Sequence, residues 1–312
     1  MKLLIELPSW LGDAVMATPA IENLISSFGE VEVTIIGSSI STEAIKSHPK
    51  INKSIVFNKN YGDIFRISKK LGDFDYFFSF RNTLRSKLLN ILIKSKYKFR
   101  FEKKKYFDLD IHQVEKYNKF VNESLGFDEA IGKLVLFKTT TKTKRINEKP
   151  LLGINPGSSY GSAKRWYPKE FAKVAEKLSK NYNIIIFGSK NEIDIADDIE
   201  NRLRDNGIDN CVNLSGKTSI EELINQISEL DLFITGDSGA MHLAAGFEVP
   251  TISIFGPTRH KETSQWKNKK SIIVKENLDC QPCMKRTCPL KHHNCMKLIK
   301  AERILDAVST LN

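Results

Sequence analysis

Short apolar runs rich in β-branched residues recur along this chain, each separated from the next by a stretch of helical periodicity. The runs fall at residues 3–7, 31–36, 54–57 and 76–80, then at 151–155, 183–187, 231–235 and 251–255. Helical patterns occupy 13–28, 62–71, 83–94 and 112–125 in the first half. In the second half they occupy 168–180, 192–206, 219–230, 239–247 and 301–311. A strand that is apolar along its whole length must be covered on both faces, and strand–helix alternation supplies that cover in parallel sheets. The pattern predicts an α/β chain. The last helix carries Ile304, Leu305 and Val308 on one face and could pack on either half.

The alternation restarts near residue 150. Residues 139–150 (TTTKTKRINEKP) are polar, have no apolar period and read as a linker. A length of 312 residues suits roughly two domains of ~150 residues. The expected division is 1–150 and 151–312, two Rossmann-like halves facing a cleft. Ligands of such sheets bind at the carboxyl ends of the strands.

No run of ~18 apolar residues is present, and the first residues turn polar too soon for a secretory signal. A cytoplasmic protein is expected. The net charge of +11 owes much to Lys94, Lys96, Lys98, Arg100, Lys103, Lys104 and Lys105. Such a run reads either as a solvated face or as a surface drawn to an acidic partner, nucleic acid or anionic lipid. No interleaved aromatic–basic nucleic-acid motif accompanies it, so nucleic acid is not expected. Of five cysteines, Cys280, Cys283, Cys288 and Cys295 crowd into one segment with His292 and His293 between them. Structural zinc, disulfides and simple thiols all remain open for this cluster.

Each half has a glycine-containing turn after its first strand. In Leu7-Pro8-Ser9-Trp10-Leu11-Gly12-Asp13, Gly12 is expected in a tight turn with positive φ. Asp13 is then either the cap of the following helix or a base aimed into the cleft. In Asn155-Pro156-Gly157-Ser158-Ser159-Tyr160-Gly161-Ser162-Ala163-Lys164-Arg165, the serine hydroxyls and backbone N–H groups suit a diphosphate, and Lys164 adds positive charge. Glu192, just past the 183–187 strand, is placed either to accept from ribose hydroxyls or to support a helix start.

Gly236-Asp237-Ser238-Gly239 also spells the string around a protease nucleophile. An α/β chain with His242 only four residues after Ser238 does not build a catalytic triad. As a strand–turn–helix, the segment instead offers the N–H groups of Ser238 and Gly239 to phosphate and the Asp237 carboxylate to sugar hydroxyls.

Taken in order, the segments 8–16, 155–166, 187–192, 237–242, 255–258 and 280–296 resemble glycosyltransferase family 9, the bacterial lipopolysaccharide heptosyltransferases. The resemblance spans nearly the whole chain. It implies a GT-B fold with an acceptor-binding first half and an ADP-sugar-binding second half. The implied reaction is an inverting transfer of heptose from ADP-L-glycero-β-D-manno-heptose to the inner-core heptose of a lipid-linked oligosaccharide, with no cofactor required. On this basis Asp13 is the general base, with Ser9 and Gly12 on the acceptor side. Ser158, Ser159 and Lys164 meet the diphosphate, Glu192 the ribose and Thr218 the adenine. Asp237, Ser238, Gly239 and His242 form the donor loop. The implied partners are ADP-heptose, an anionic lipid A–Kdo–heptose acceptor and the inner face of the inner membrane, with the enzyme a monomer. The basic run at 94–105 would border the acceptor. Alternatives are a GT-B transferase for another nucleotide sugar, such as a UDP-sugar, or a non-catalytic nucleotide-binding module.

Overall fold

The computed structural model describes residues 1–57, 61–139 and 149–311. The chain divides into two compact units, Met1–Thr139 and Thr140–Asn312. Most of the expected 139–150 linker lies outside the described residues.

The first unit holds a parallel sheet of β1 (Lys2–Glu6), β2 (Glu32–Gly37), β3 (Ile51–Val56), β4 (Asp73–Ser79) and β5 (Lys94–Arg100), ordered β3-β2-β1-β4-β5. The second holds β6 (Leu151–Asn155), β7 (Asn183–Ile186), β8 (Cys211–Asn213), β9 (Leu232–Gly236), β10 (Thr251–Phe255) and β11 (Ser271–Lys275), ordered β11-β10-β9-β6-β7-β8. Both sheets are wholly parallel among the described pairings. The chain reverses its direction of progress between β1 and β4 in one sheet and between β6 and β9 in the other. These switch points open a crevice above the strands' carboxyl ends.

Leu152, Ile154, Ile184, Ile186, Ile234 and Ile254 are buried in the second core, and the final helix Ala301–Leu311 packs there through Ile304 and Val308. That settles which half it joins.

Four expectations at element level are corrected. The single helix over 13–28 is two, Leu11–Met16 and Thr18–Ser27. Pro19 has no N–H to donate to the Val15 carbonyl, and the Thr18 hydroxyl takes that carbonyl at 2.7 Å instead. Gly12 sits inside the first of these helices rather than in a positive-φ turn. Its cap is Trp10, in extended conformation, so Asp13 is not the cap but lies in the first turn. Finally, the basic run contains β5. Its charge hides a period of two, because Tyr97 and Phe99 stack on Tyr76 and Phe78 of β4 while Lys94, Lys96 and Lys98 alternate with them. The short strands β8 and β11 also escaped the sequence reading.

Candidate active site

In the second unit, the expected donor residues lie on loops at the carboxyl ends of five neighbouring strands. Asn155 to Lys164 follow β6, Glu192 follows β7, Thr218 follows β8, Asp237 to His242 follow β9 and Thr258 follows β10. At the switch point, the Asn155 amide donates to the Ser238 hydroxyl at 3.3 Å, which also meets the Thr235 hydroxyl at 3.1 Å. The Ser238 side chain is thus turned toward the strands. It stands at the N-cap of the helix Gly239–Gly246 but makes no side-chain cap there, so it does not occupy that helix's N–H groups.

The Lys164 ammonium lies 2.5 Å from Asp237 Oδ2, and the Thr258 hydroxyl donates to the same oxygen at 2.5 Å. Asp237 is buried, so this pairing satisfies a carboxylate that would otherwise be costly to bury. An ammonium carries three donors, and one suffices for Asp237. Tyr160 lies under the same ammonium, with its ring centroid at 4.6 Å, and Arg286 sits 5.6 Å from that ring. Two cations therefore flank the Tyr160 ring, and one of them, Lys164, pairs with Asp237 just before the helix Gly239–Gly246; positive charge at a helix N-terminus suits a diphosphate.

Glu192 is 5% exposed. Its Oε2 accepts from the Ser189 N–H at 2.8 Å in a capping box, the helix-start role that its position also allowed. Its carboxyl lies against Gly157, where a Cβ would fall 2.1 Å from the Glu192 Cδ. Glycine there lets the β6 loop and Glu192 meet. Ser158 is buried and Ser159 exposed. Thr218 is half-buried, on a turn joined to the β7 loop by Gly216 N–H donating to the Gly188 carbonyl at 2.9 Å. His242 is buried one turn into the Gly239–Gly246 helix.

The four clustered cysteines line one small cavity with His292 and His293. All five cysteines of the chain are free thiols in this structure. Among the described residues, no three His, Cys, Asp or Glu side chains are arranged to hold a metal ion. Burial and the neighbouring Cys283, Cys288 and Cys280 push the Cys295 thiol up to about 11. The segment braces the loops after β6 and β10. Ala163 N–H donates to the Arg286 carbonyl at 3.0 Å, the Tyr160 hydroxyl to the Met284 carbonyl at 2.7 Å, and Met284 N–H to the Pro257 carbonyl at 2.9 Å. His293 bonds the Ala163 carbonyl at 3.0 Å and the Tyr167 hydroxyl at 3.1 Å. Gly161, with φ +154°, lies against the Arg286 carbonyl, where any Cβ would clash at 2.4 Å. The cysteine-bearing segment thereby fixes both the loop of Lys164 and the loop of Thr258.

In the first unit, Ser9, Gly12 and Asp13 follow β1 at its carboxyl end. Asp13 is half-buried, and its charge helps raise the pKa of Tyr117, whose buried ring packs on Phe80 and Phe101. Burial is the larger cause of that rise. Sequence reading missed Glu6 at the end of β1. It is fully buried, accepts from the Ser79 and Ser86 hydroxyls at 2.5 and 2.6 Å, and pairs with Arg81 at 3.4 Å. Burial raises its pKa. A lone Glu ending an apolar strand was the available signal. Thr258, Asn155 and Arg286 were likewise missed, although Phe255-Gly256-Pro257-Thr258 already stood out as a motif.

Residues 67–294 match the profile of glycosyltransferase family 9 (heptosyltransferase). The chain belongs to this family. A lipooligosaccharide heptosyltransferase 2 of Campylobacter jejuni serotype O:2 is 42% identical over all of this chain and 98% of the relative. A lipooligosaccharide heptosyltransferase 2 of Haemophilus influenzae is 27% identical over 88% of each chain. The solved structure of E. coli ADP-heptose LPS heptosyltransferase II superposes with a TM-score of 0.80 at 20% identity, over 100% of this chain and 98% of that one. A family 9 glycosyltransferase of Veillonella parvula gives 0.82 at 19% identity, over 99% and 96%. The GT-B fold expected for the family is the fold observed.

Proposed function

We infer that this chain is a heptosyltransferase of lipopolysaccharide or lipooligosaccharide core synthesis, moving L-glycero-D-manno-heptose from ADP-heptose onto an inner-core heptose. The observation that carries this reading is 42% identity along the entire chain to a heptosyltransferase 2. The gathering of Lys164, Asp237, Ser238 and Thr258 at the second unit's switch point supports it.

In this reading the second unit binds the donor and the first the acceptor. Ser158, Ser159, Lys164 and the N–H groups of Ser238 and Gly239 take the diphosphate. Glu192 takes the ribose, Thr218 the adenine, and Asp237 and His242 the heptose side of the donor loop. Ser9 and Gly12 border the acceptor. Asp13 removes the proton of the acceptor hydroxyl as its oxygen attacks the anomeric carbon. The bond from that carbon to ADP breaks, and its electron pair leaves on the β-phosphate oxygen. Lys164 and the helix N-terminus stabilise the charge growing there, so protein groups supply the positive field. The expected consequences are inversion at the anomeric carbon and a rate unchanged by EDTA.

The enzyme works as a monomer at the inner face of the inner membrane, where a lipid A–Kdo–heptose acceptor resides; among the described residues no helix is long and apolar enough to cross that membrane. Incubation with ADP-heptose and mono-heptosylated acceptor, read by mass spectrometry, should show one added heptose. No product with ADP-heptose, or product with UDP-sugars instead, would refute the assignment.

A further inference from the structure

One face of the first unit has no role in the chemistry above. The helix Leu84–Leu92 covers the sheet through Ser86 and Leu89. Leu84 and Ile91, seven residues and thus two turns apart, share its outer face with Lys87, and each is 74% exposed. The chain then enters the edge strand β5. Lys98 pairs in register with Phe77, which packs with Leu89 and Ile93 beneath that helix. Lys94, Lys96 and Lys98 alternate along β5, so their row lies on the helix-bearing face of the sheet. The Lys98 ammonium reaches back to the Asn90 carbonyl at 2.8 Å, at the helix end beside Ile91. Two bulky apolar side chains and four lysines thus form one continuous surface.

Edge strands commonly carry lysines to block sheet-to-sheet pairing. That requirement explains the lysines of β5. It does not explain Leu84 and Ile91, since exposed apolar groups on a helix would promote association instead of blocking it. Basic residues around protruding apolar ones match a surface that is negative outside and hydrocarbon within.

We propose that the face made by Leu84, Lys87, Ile91, Lys94, Lys96 and Lys98 docks on an anionic lipid bilayer. This proposal rests on the reading that the acceptor is lipid-linked. Leu84 lies just past the carboxyl end of β4, at the same end of the sheet as Ser9 and Asp13, so the docked surface adjoins the acceptor end of the unit. The lysines hold the headgroup charge, while Leu84 and Ile91 enter the boundary between headgroups and acyl chains.

The test is co-sedimentation of the full chain with phosphatidylglycerol/phosphatidylcholine vesicles and with phosphatidylcholine alone, at low and high salt. The expected result is binding to the anionic vesicles that weakens as salt rises. A Lys94→Gln/Lys96→Gln/Lys98→Gln variant should lose on the order of 100-fold in partitioning, from about 1 kcal/mol per lysine near an anionic surface. Leu84→Ser/Ile91→Ser should also bind less at every salt concentration, yet turn over a delipidated, water-soluble acceptor as the parent does. Equal binding by parent and both variants would overturn the proposal. So would absence of binding accompanied by a dimer in light scattering that the variants dissolve, which would make the face an interface between two copies. Activity on the soluble acceptor reports on the transferase reading separately, so either idea can fail without the other.

Discussion

The contact between Gly157 and Glu192 offers a sharp test of how the loops after β6 and β7 are held. A Cβ on Gly157 would lie 2.1 Å from Glu192 Cδ and 2.4 and 2.6 Å from its two oxygens. Glu192 cannot swing aside freely, because it is buried and its Oε2 holds the Ser189 N–H. Gly157→Ala should therefore cost about 1–3 kcal/mol as overpacking, plus about 1 kcal/mol if the cap is broken. At ~2–4 °C per kcal/mol for a unit of this size, that is a fall of roughly 2–16 °C in midpoint. Glu192→Ala alone should cost about 1 kcal/mol from the lost cap. It also opens the space the new methyl needs. In the Glu192→Ala background, Gly157→Ala should then cost little, giving a favourable coupling of about 1–3 kcal/mol in a double-mutant cycle. The assay is denaturant unfolding followed by tryptophan fluorescence, for which the buried Trp166 reports on the second unit. If the two substitutions add, the steric account of this contact is wrong.

Other substitutions probe the proposed chemistry. Asp13→Ala should lower transfer by about 10²–10⁴-fold while isothermal titration shows ADP binding unchanged; a fully active variant would remove Asp13 from the mechanism. Lys164→Ala should weaken ADP binding by roughly 10–100-fold, as expected for loss of a charged hydrogen bond. The same change should lower stability, because Asp237 stays buried without its cation. With its thiol raised to about 11 and only 7% exposed, Cys295 should be alkylated by iodoacetamide at pH 7.5 more slowly than Cys280 or Cys283, as mapped by mass spectrometry. Comparable rates at all three would contradict its burial.

The sequence by itself determined the fold class, because eight apolar runs at strand length, spaced by helices, leave little but covered parallel sheets. The segments it singled out, Asn155–Lys164, Glu192 and Asp237–His242, all lie at strand carboxyl ends. Local periodicity carries this information, since it depends on neighbours a few residues apart. Tertiary structure decided what depends on distant neighbours. Whether Asp237 faces Lys164 and Thr258 rests on the order of β6, β9 and β10, which no local pattern encodes. The cysteine segment read as a metal, disulfide or thiol question, and only its hydrogen bonds to Ala163, Tyr160 and Pro257 show it bracing the loops after β6 and β10. The lysine run read as charge, and pairing with β4 made part of it a strand. Charge is visible in a sequence one residue at a time, whereas the partner that fixes its place is supplied by folding.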